Sequence, residues 1–278
     1  MVRIVSDTST LYSTSQAKEA GFTVAPLSVT IAGKTYREFD EISSQQFVEI
    51  IWQGNMPTSS QPAIGEVMAM YEQYPEDDIL NIAMADGLSG TYNSAVSAAE
   101  MCDNAGRITV LNSRTLCGPH RYMVEKAVEL AAQGKSVQEI VDFLTVMIDA
   151  AKSFLIPDDF DYLRRGGRLS PMVSYVGKAA KLTPIMTQTD DGCRLTVAAI
   201  RRGFPHAIKF IAEALSKRNV GEGWRVYISH ANALDKAEQM LRGLSEKLPG
   251  AVFEIYPLSP AFITQGGPGC VAVQIVPV

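Results

Sequence analysis

Cysteine is scarce: Cys102, Cys117, Cys193 and Cys270 stand 15, 76 and 77 positions apart in a chain of 278 residues. That spacing matches neither paired zinc ligands nor the dense framework of a small secreted domain, and it predicts thiols used as core filler. Histidine is scarcer still. His120, His206 and His230 are too scattered for a His-x-x-x-His pair, so no metal site is expected. No window approaches the eighteen or so uninterrupted apolar residues of a membrane span. The opening Met1-Val-Arg-Ile-Val-Ser-Asp reads as a first strand rather than a secretion signal, so a cytoplasmic location is expected. Neither Gly-x-Gly-x-x-Gly after the first strand nor Gly-x-x-x-x-Gly-Lys-[Ser/Thr] occurs, which leaves nucleotide binding by a known loop unsupported and no cofactor implied.

What is present fits a soluble globular protein: 46% hydrophobic and 20% charged residues, without a biased tract. Area scaling gives about 44,000 Å² for the unfolded chain and about 12,000 Å² for the folded one, so a full core forms without staples. The net charge of −5 argues against nucleic acid, but it is unevenly spread. Residues 1–160 carry −11 and residues 161–209 carry +6. That positive block holds Arg164, Arg165, Arg168, Lys178, Lys181, Arg194, Arg201, Arg202 and Lys209. It is either a solvated face or an attraction for an anionic group.

Hydrophobic periodicity alternates strands with helices over the first half. Strands are expected at Val2–Ser6, Phe22–Ile31, Ile79–Ala85 and Arg107–Leu111, with helices at Ser44–Gln53, Ile64–Tyr74, Thr91–Asn104, His120–Ala132 and Val137–Ala151. This predicts a doubly wound parallel sheet with helices on both faces. Past Phe154 come six short strands, at Phe154–Ile156, Ile185–Thr187, Arg194–Ala199, Arg225–Ser229, Val252–Pro257 and Val271–Val276. Helices are expected among them at Ser170–Lys181, Pro205–Lys217 and Ala233–Lys247. The expected division is an N-terminal α/β domain over 1–152 and a mixed-sheet α/β domain over 153–278.

Ligands of a parallel open sheet sit beyond the carboxyl ends of its strands. Three such exits here are rich in hydroxyls: Ser6-Asp7-Thr8-Ser9, Asp86-Gly87-Leu88-Ser89-Gly90-Thr91 and Asn112-Ser113-Arg114-Thr115. Each taken singly reads as a helix cap; together they make a hydroxyl-lined crest. Gly87 to Thr91 approaches a hydrolase nucleophile elbow, but Thr91 stands where Gly is needed and no histidine has a suggestive context. What remains is a hydroxyl and free amides at a helix start, a place suited to an anion. Pro57-Thr58-Ser59-Ser60-Gln61-Pro62 adds a second hydroxyl cluster before a helix, readable as a capped loop. Asp161 to Leu169, with Gly166 and Gly167 between arginines, is either a basic turn or a site. Gln265-Gly266-Gly267-Pro268-Gly269 reads as a flexible, donor-rich loop between strands.

These segments, in this order, resemble the bacterial DegV family, whose members include the fatty-acid-binding subunits of fatty acid kinase. The likeness runs through Ser6-Asp7-Thr8, Pro57 to Pro62, Leu88 to Ala95, Tyr162 to Arg168, Arg202 to Ala207 and Gly266 to Gly269. It implies two α/β domains with a long-chain fatty acid between them, the tail in an apolar tunnel and the carboxylate on hydroxyls. By position the head group would meet Ser59, where the family usually has Thr, then Ser60, Ser89, Gly90 and Thr91, with Gln265 and Gly266 opposite. Gln265 stands where the family usually has His, so no proton can be gained there. The resemblance also implies a carrier without catalysis of its own, presenting the acid to a fatty acid kinase catalytic subunit for acyl-phosphate formation and phospholipid synthesis. Arg168 and Arg202 would face that partner or the new phosphate.

Tail burial alone can drive such binding: about fourteen methylenes gain up to about 11 kcal/mol gross on leaving water. Two other readings stay open. One is a Ser-dependent hydrolase or phosphotransferase; the other is a regulatory module for a different small carboxylate.

Overall fold

A computed structural model describes residues 1–173 and 182–278. The first half contains β1 (Val2–Asp7), α1 (Thr14–Glu19), β2 (Thr23–Ala25), β3 (Ser28–Ile31), β4 (Lys34–Arg37), α2 (Ser44–Trp52), β5 (Thr58–Ser60), α3 (Ile64–Tyr71), β6 (Asp78–Ala83), α4 (Thr91–Met101), β7 (Ile108–Asn112), α5 (Cys117–Ala132) and α6 (Val137–Ala150). The second contains β8 (Lys152–Ile156), α7 (Phe160–Gly166), β9 (Leu182–Gln188), β10 (Leu195–Arg202), α8 (Phe204–Ser216), β11 (Trp224–His230), α9 (Leu234–Ser245), β12 (Val252–Pro257), α10 (Pro260–Gly266) and β13 (Val271–Pro277).

Strands β2, β1, β6 and β7 form a parallel sheet in that order. Both of its faces are covered, which is why its strands read as near-continuous apolar runs. Val5 and Ile79 point to a layer built on Val67, Tyr71, Ala95 and Ala98 of α3 and α4. Ile4, Leu80 and Ile82 point the other way, onto Tyr122, Met123, Ile140 and Leu144 of α5 and α6. The expected doubly wound sheet is therefore present.

The second sheet is mixed, in the order β10-β9-β8-β13-β11-β12, with only β11 and β12 parallel. One face carries α8 and α9, packed through Ile211, Leu215, Met240 and Leu244 onto Val226, Ile228, Val273 and Ile275. The other face turns toward the first half. There Tyr227 and Val276 join the core beneath α5 and α6, so the two sheets share buried surface.

Several sequence expectations are corrected. The run Phe22–Ile31 is two strands, because Pro26 has no N–H for a ladder and forces the chain out of the parallel sheet. Only β2 joins that sheet; β3 pairs antiparallel with β4 and β5 in a separate three-stranded sheet. The hydroxyl cluster before α3 is strand β5 rather than a capped loop, and Ala63, the residue before α3, gives that helix no side-chain cap. The glycine turn around Arg164 is helix α7, closed by Gly167 at φ +70°, and Gln265 and Gly266 end helix α10 rather than lying in a loop. Of the expected helix Ser170–Lys181, Pro171–Val173 form a single 3-10 turn, and residues 174–181, with Lys178 and Lys181, lie outside the described residues. Cys102, Cys117 and Cys270 are buried as expected, but Cys193 is exposed, in the tight hairpin between β9 and β10.

Candidate functional site

Beyond the carboxyl ends of the parallel strands, between them and the mixed sheet, lies a cavity of about 360 Å³. That volume is in the range of small-molecule pockets. Its wall is mostly hydrocarbon, with Leu27, Met84, Leu116, Leu155, Leu163 and Met186 contributing from both halves. Polar side chains gather at one mouth: Ser59, Ser60 and Gln61 from β5 and the turn after it, Ser89 from the exit of β6, Gln265 from α10 and Arg168 after α7.

Gln265, Ser59, Ser89 and Gln61 are each held by a partner at the mouth. Gln265 Nε2 donates to Ser59 Oγ at 3.1 Å, while its Oε1 is buried without a hydrogen-bond partner. Gln265 comes so close to α7 that a Cβ on Gly166 would stand 2.1 Å from that oxygen, so a larger residue there would displace the Gln265 amide. Ser89 Oγ lies 2.8 Å from Thr91 Oγ1 and accepts the Thr91 amide at 3.3 Å. Gly90, the cap residue of α4, makes no side-chain cap bond, so helix-start amides are left beside Ser89. Gln61 Nε2 donates to Ser94 Oγ on α4, and a Cβ at Gly90 would sit 1.9 Å from Gln61 Oε1. The glycine therefore lets β5 and α4 close on each other at the mouth.

Outside the mouth, a polar vestibule of about 410 Å³ is lined by Asp86, Ser89, Gly90, Arg168, Cys193 and Arg194, among others. Leu88, Ser89, Gly90 and Arg168 line both spaces, so the cavity opens into the vestibule past them. Arg168 Nε donates to the Leu88 carbonyl at 3.2 Å and Nη1 to the Gly166 carbonyl, tying the β6 exit to α7. The sequence pattern sets the arginines apart from the hydroxyls; the fold instead brings Arg168 to Ser89, and Arg202 alone of the pair lies off both linings, exposed at the end of edge strand β10.

Ser59, Ser60, Ser89, Gly90, Gln265 and Gly266 are thus brought together on one cavity wall, while Thr91 is set back, buried behind Ser89. Gln61, Ser153 and Gln274 also line the cavity and escape sequence reasoning. Gln61 sits within the hydroxyl cluster and had a local signal. Ser153 and Gln274 had none, since each looks like one polar residue inside a strand.

His120, without context in the sequence, has partners in the fold. Its Nδ1 lies 2.6 Å from Ser9 Oγ and its Nε2 3.0 Å from the Ile82 carbonyl and 3.2 Å from Ser6 Oγ. Burial holds its pKa below the ordinary value, against the pull of Asp7. It does not line the cavity, and Ser89 bonds to Thr91 rather than to a histidine.

Fold and site together define an α/β protein built around an apolar cavity with a hydroxyl-lined mouth. The model of the DegV family matches residues 1–278, and the chain belongs to that family. A DegV domain-containing protein of Listeria monocytogenes is 30% identical over 277 residues, covering 98% of this chain and 97% of that one. One from Staphylococcus aureus is 29% identical over 279 residues, covering 98% of each. Among solved structures, DegV of Bacillus subtilis, described as a fatty acid binding protein, superposes with a TM-score of 0.87 at 28% identity, covering 100% of this chain and 99% of that one. A DegV lipid binding protein of Thermotoga maritima superposes with a TM-score of 0.86 at 25% identity, covering 100% and 98%.

Proposed function

We propose that this protein binds a long-chain fatty acid, with its tail in the apolar cavity and its carboxylate at the mouth. In this reading the units 1–152 and 153–278 hold the ligand between them. The observation that carries it is the junction of a mostly apolar wall, built on Leu27, Met84, Leu116, Leu155, Leu163 and Met186, with a mouth where Ser59, Ser89 and Gln265 gather. The tail supplies affinity through burial, and the head group needs only its desolvation offset. Ser59, Ser60 and Ser89 donate to the carboxylate, the α4 amides beside Gly90 add charge-assisted donors, and Thr91 and Gln265 orient the two outer hydroxyls. The fatty acid binding ascribed to the Bacillus subtilis relative supports this reading.

The protein acts as a carrier rather than an enzyme. Ser89 lacks a histidine partner, and His120 is committed to Ser9, Ser6 and Ile82, which favours this reading over the hydrolase. The carrier works in the cytoplasm and presents the acid, through the vestibule beside Arg168, to a fatty acid kinase catalytic subunit, whose acyl phosphate feeds phospholipid synthesis. Arg202, outside both cavity and vestibule at the far end of β10 from Arg194, would meet such a partner only away from the mouth.

Organic extraction of the purified protein followed by mass spectrometry tests the binding step. A long-chain acid at about one per chain is expected; a short carboxylate in its place would favour a regulatory module instead. Adding ATP and a fatty acid kinase catalytic subunit to the loaded protein should yield acyl phosphate. Product formed without that subunit would overturn the carrier role.

A further inference from the structure

The inner part of the cavity holds a buried amide that head-group binding leaves unused. Gln274 lies on β13, is 1% exposed, and shares with Cys270 and Ala272 the strand face that lines the cavity. Its Nε2 is committed, donating to the Leu116 carbonyl at 2.9 Å and to Ser153 Oγ at 3.0 Å. Those bonds fix the amide's orientation, because turning it over would set its oxygen against the Leu116 carbonyl. Gln274 Oε1 is left buried with no hydrogen-bond partner. Ser153 Oγ accepts from Gln274, and among the described residues its own hydrogen is given to no other group.

The cavity therefore presents one free acceptor and one free donor side by side, among Phe154, Leu155, Met186 and Leu195 and beside Thr187 and Gln188, whose own donors are given to the Ser153 and Arg114 carbonyls. A plain hydrocarbon tail would leave both desolvated and unmet, which is costly. A hydroxyl group, donor and acceptor at once, satisfies both. We infer that the acid carried by this protein bears a hydroxyl partway along its chain, donating to Gln274 Oε1 and accepting from Ser153 Oγ. This inference rests on the fatty acid reading above and names the ligand class within it.

The register places that hydroxyl. Cys270 stands at the mouth against Gly266, where an added Cβ would lie 2.6 Å from its Sγ. Gln274 is four residues further along β13, about 13 Å away at ~3.3 Å per residue. A 3-hydroxy acid keeps its hydroxyl at the mouth and cannot reach; a mid-chain hydroxyl can.

Competition binding to the full chain with stearic, 3-hydroxystearic, 10-hydroxystearic and 12-hydroxystearic acids tests this. One of the mid-chain hydroxy acids is expected to bind about tenfold more tightly than stearic acid, and the 3-hydroxy acid to show no such gain. The readout is that ratio, which Gln274→Met should collapse to about one. Ser153→Ala, which removes a single hydroxyl and spares the Leu116 bond, should lower it independently. A ratio near one in the unaltered protein, or one that survives both substitutions, overturns the inference while leaving fatty acid binding intact. Failure of all four acids to bind would remove the fatty acid reading and this inference with it.

Discussion

Gln265 Nε2 donates to Ser59 Oγ across 3.1 Å, joining the last turn of α10 to β5 although the two residues are 206 positions apart. The bond occupies one lone pair of Ser59 and turns the serine proton toward the cavity, where a carboxylate can accept it. Gln265 thereby acts on a ligand through Ser59. Ser59→Ala and Gln265→Leu should each weaken palmitate binding by about 1 kcal/mol, and the double variant by less than their sum. Calorimetric titration of the four proteins measures the coupling. Strictly additive losses would mean that Gln265 does not work through Ser59.

Ser89 holds the opposite side of the mouth with Thr91 behind it. Ser89→Ala should cost about 1–3 kcal/mol of fatty acid affinity, since the carboxylate loses a donor in a dry site. Its far-UV circular dichroism should match the unaltered protein. Unchanged affinity would take Ser89 out of the head-group site.

Glu38, wholly buried after β4, accepts from the Thr8 hydroxyl and, at 2.9 Å, from the Ala261 amide at the start of α10. Burial raises its pKa from 4.5 to about 7, while those two donors pull the other way. The folded protein thus holds this proton more tightly than the unfolded chain. The stability that comes with it is full below about pH 4.5 and lost as the pH rises through about 7, a change of about 3 kcal/mol. Glu38→Gln removes the titration, so its melting temperature should climb relative to the unaltered protein between pH 5 and pH 8. Melting curves whose separation stays constant over that range would contradict the assignment.

Gly118, in the first turn of α5, is where the helix meets the mixed sheet: an added Cβ would stand 2.1 Å from the ring of Tyr227 on β11. Both residues are buried, and a ring seated in a core cannot swing aside. Gly118→Ala should therefore destabilise by about 1–3 kcal/mol, seen as a thermal midpoint a few degrees lower. An unchanged midpoint would show that α5 slides freely over β11.

The fold was largely legible because its main signals are local. Runs such as Ile79–Ala83 and the period of Val137–Ala150 report burial on two faces or one, whatever lies opposite. The hydroxyls at the β6 exit were legible for the same reason, since strand exit and helix start are neighbours in the chain. The elements that escaped are short. With seven residues each, α7 and α10 carry glycines that read as turns, and their helical state depends on packing against each other and the cavity.

From the sequence alone came the class of the chain, the parallel sheet of its first half, and the serines from which a head-group site could be built. Only the tertiary structure decided that Ser59 meets Gln265, that Arg168 guards the same mouth as Ser89, and that Gln274 keeps an oxygen unmet inside an apolar wall. The reason is physical: periodicity records how much of a side chain is hidden from water, whereas a hydrogen bond between distant strands and helices depends on how whole layers settle against one another.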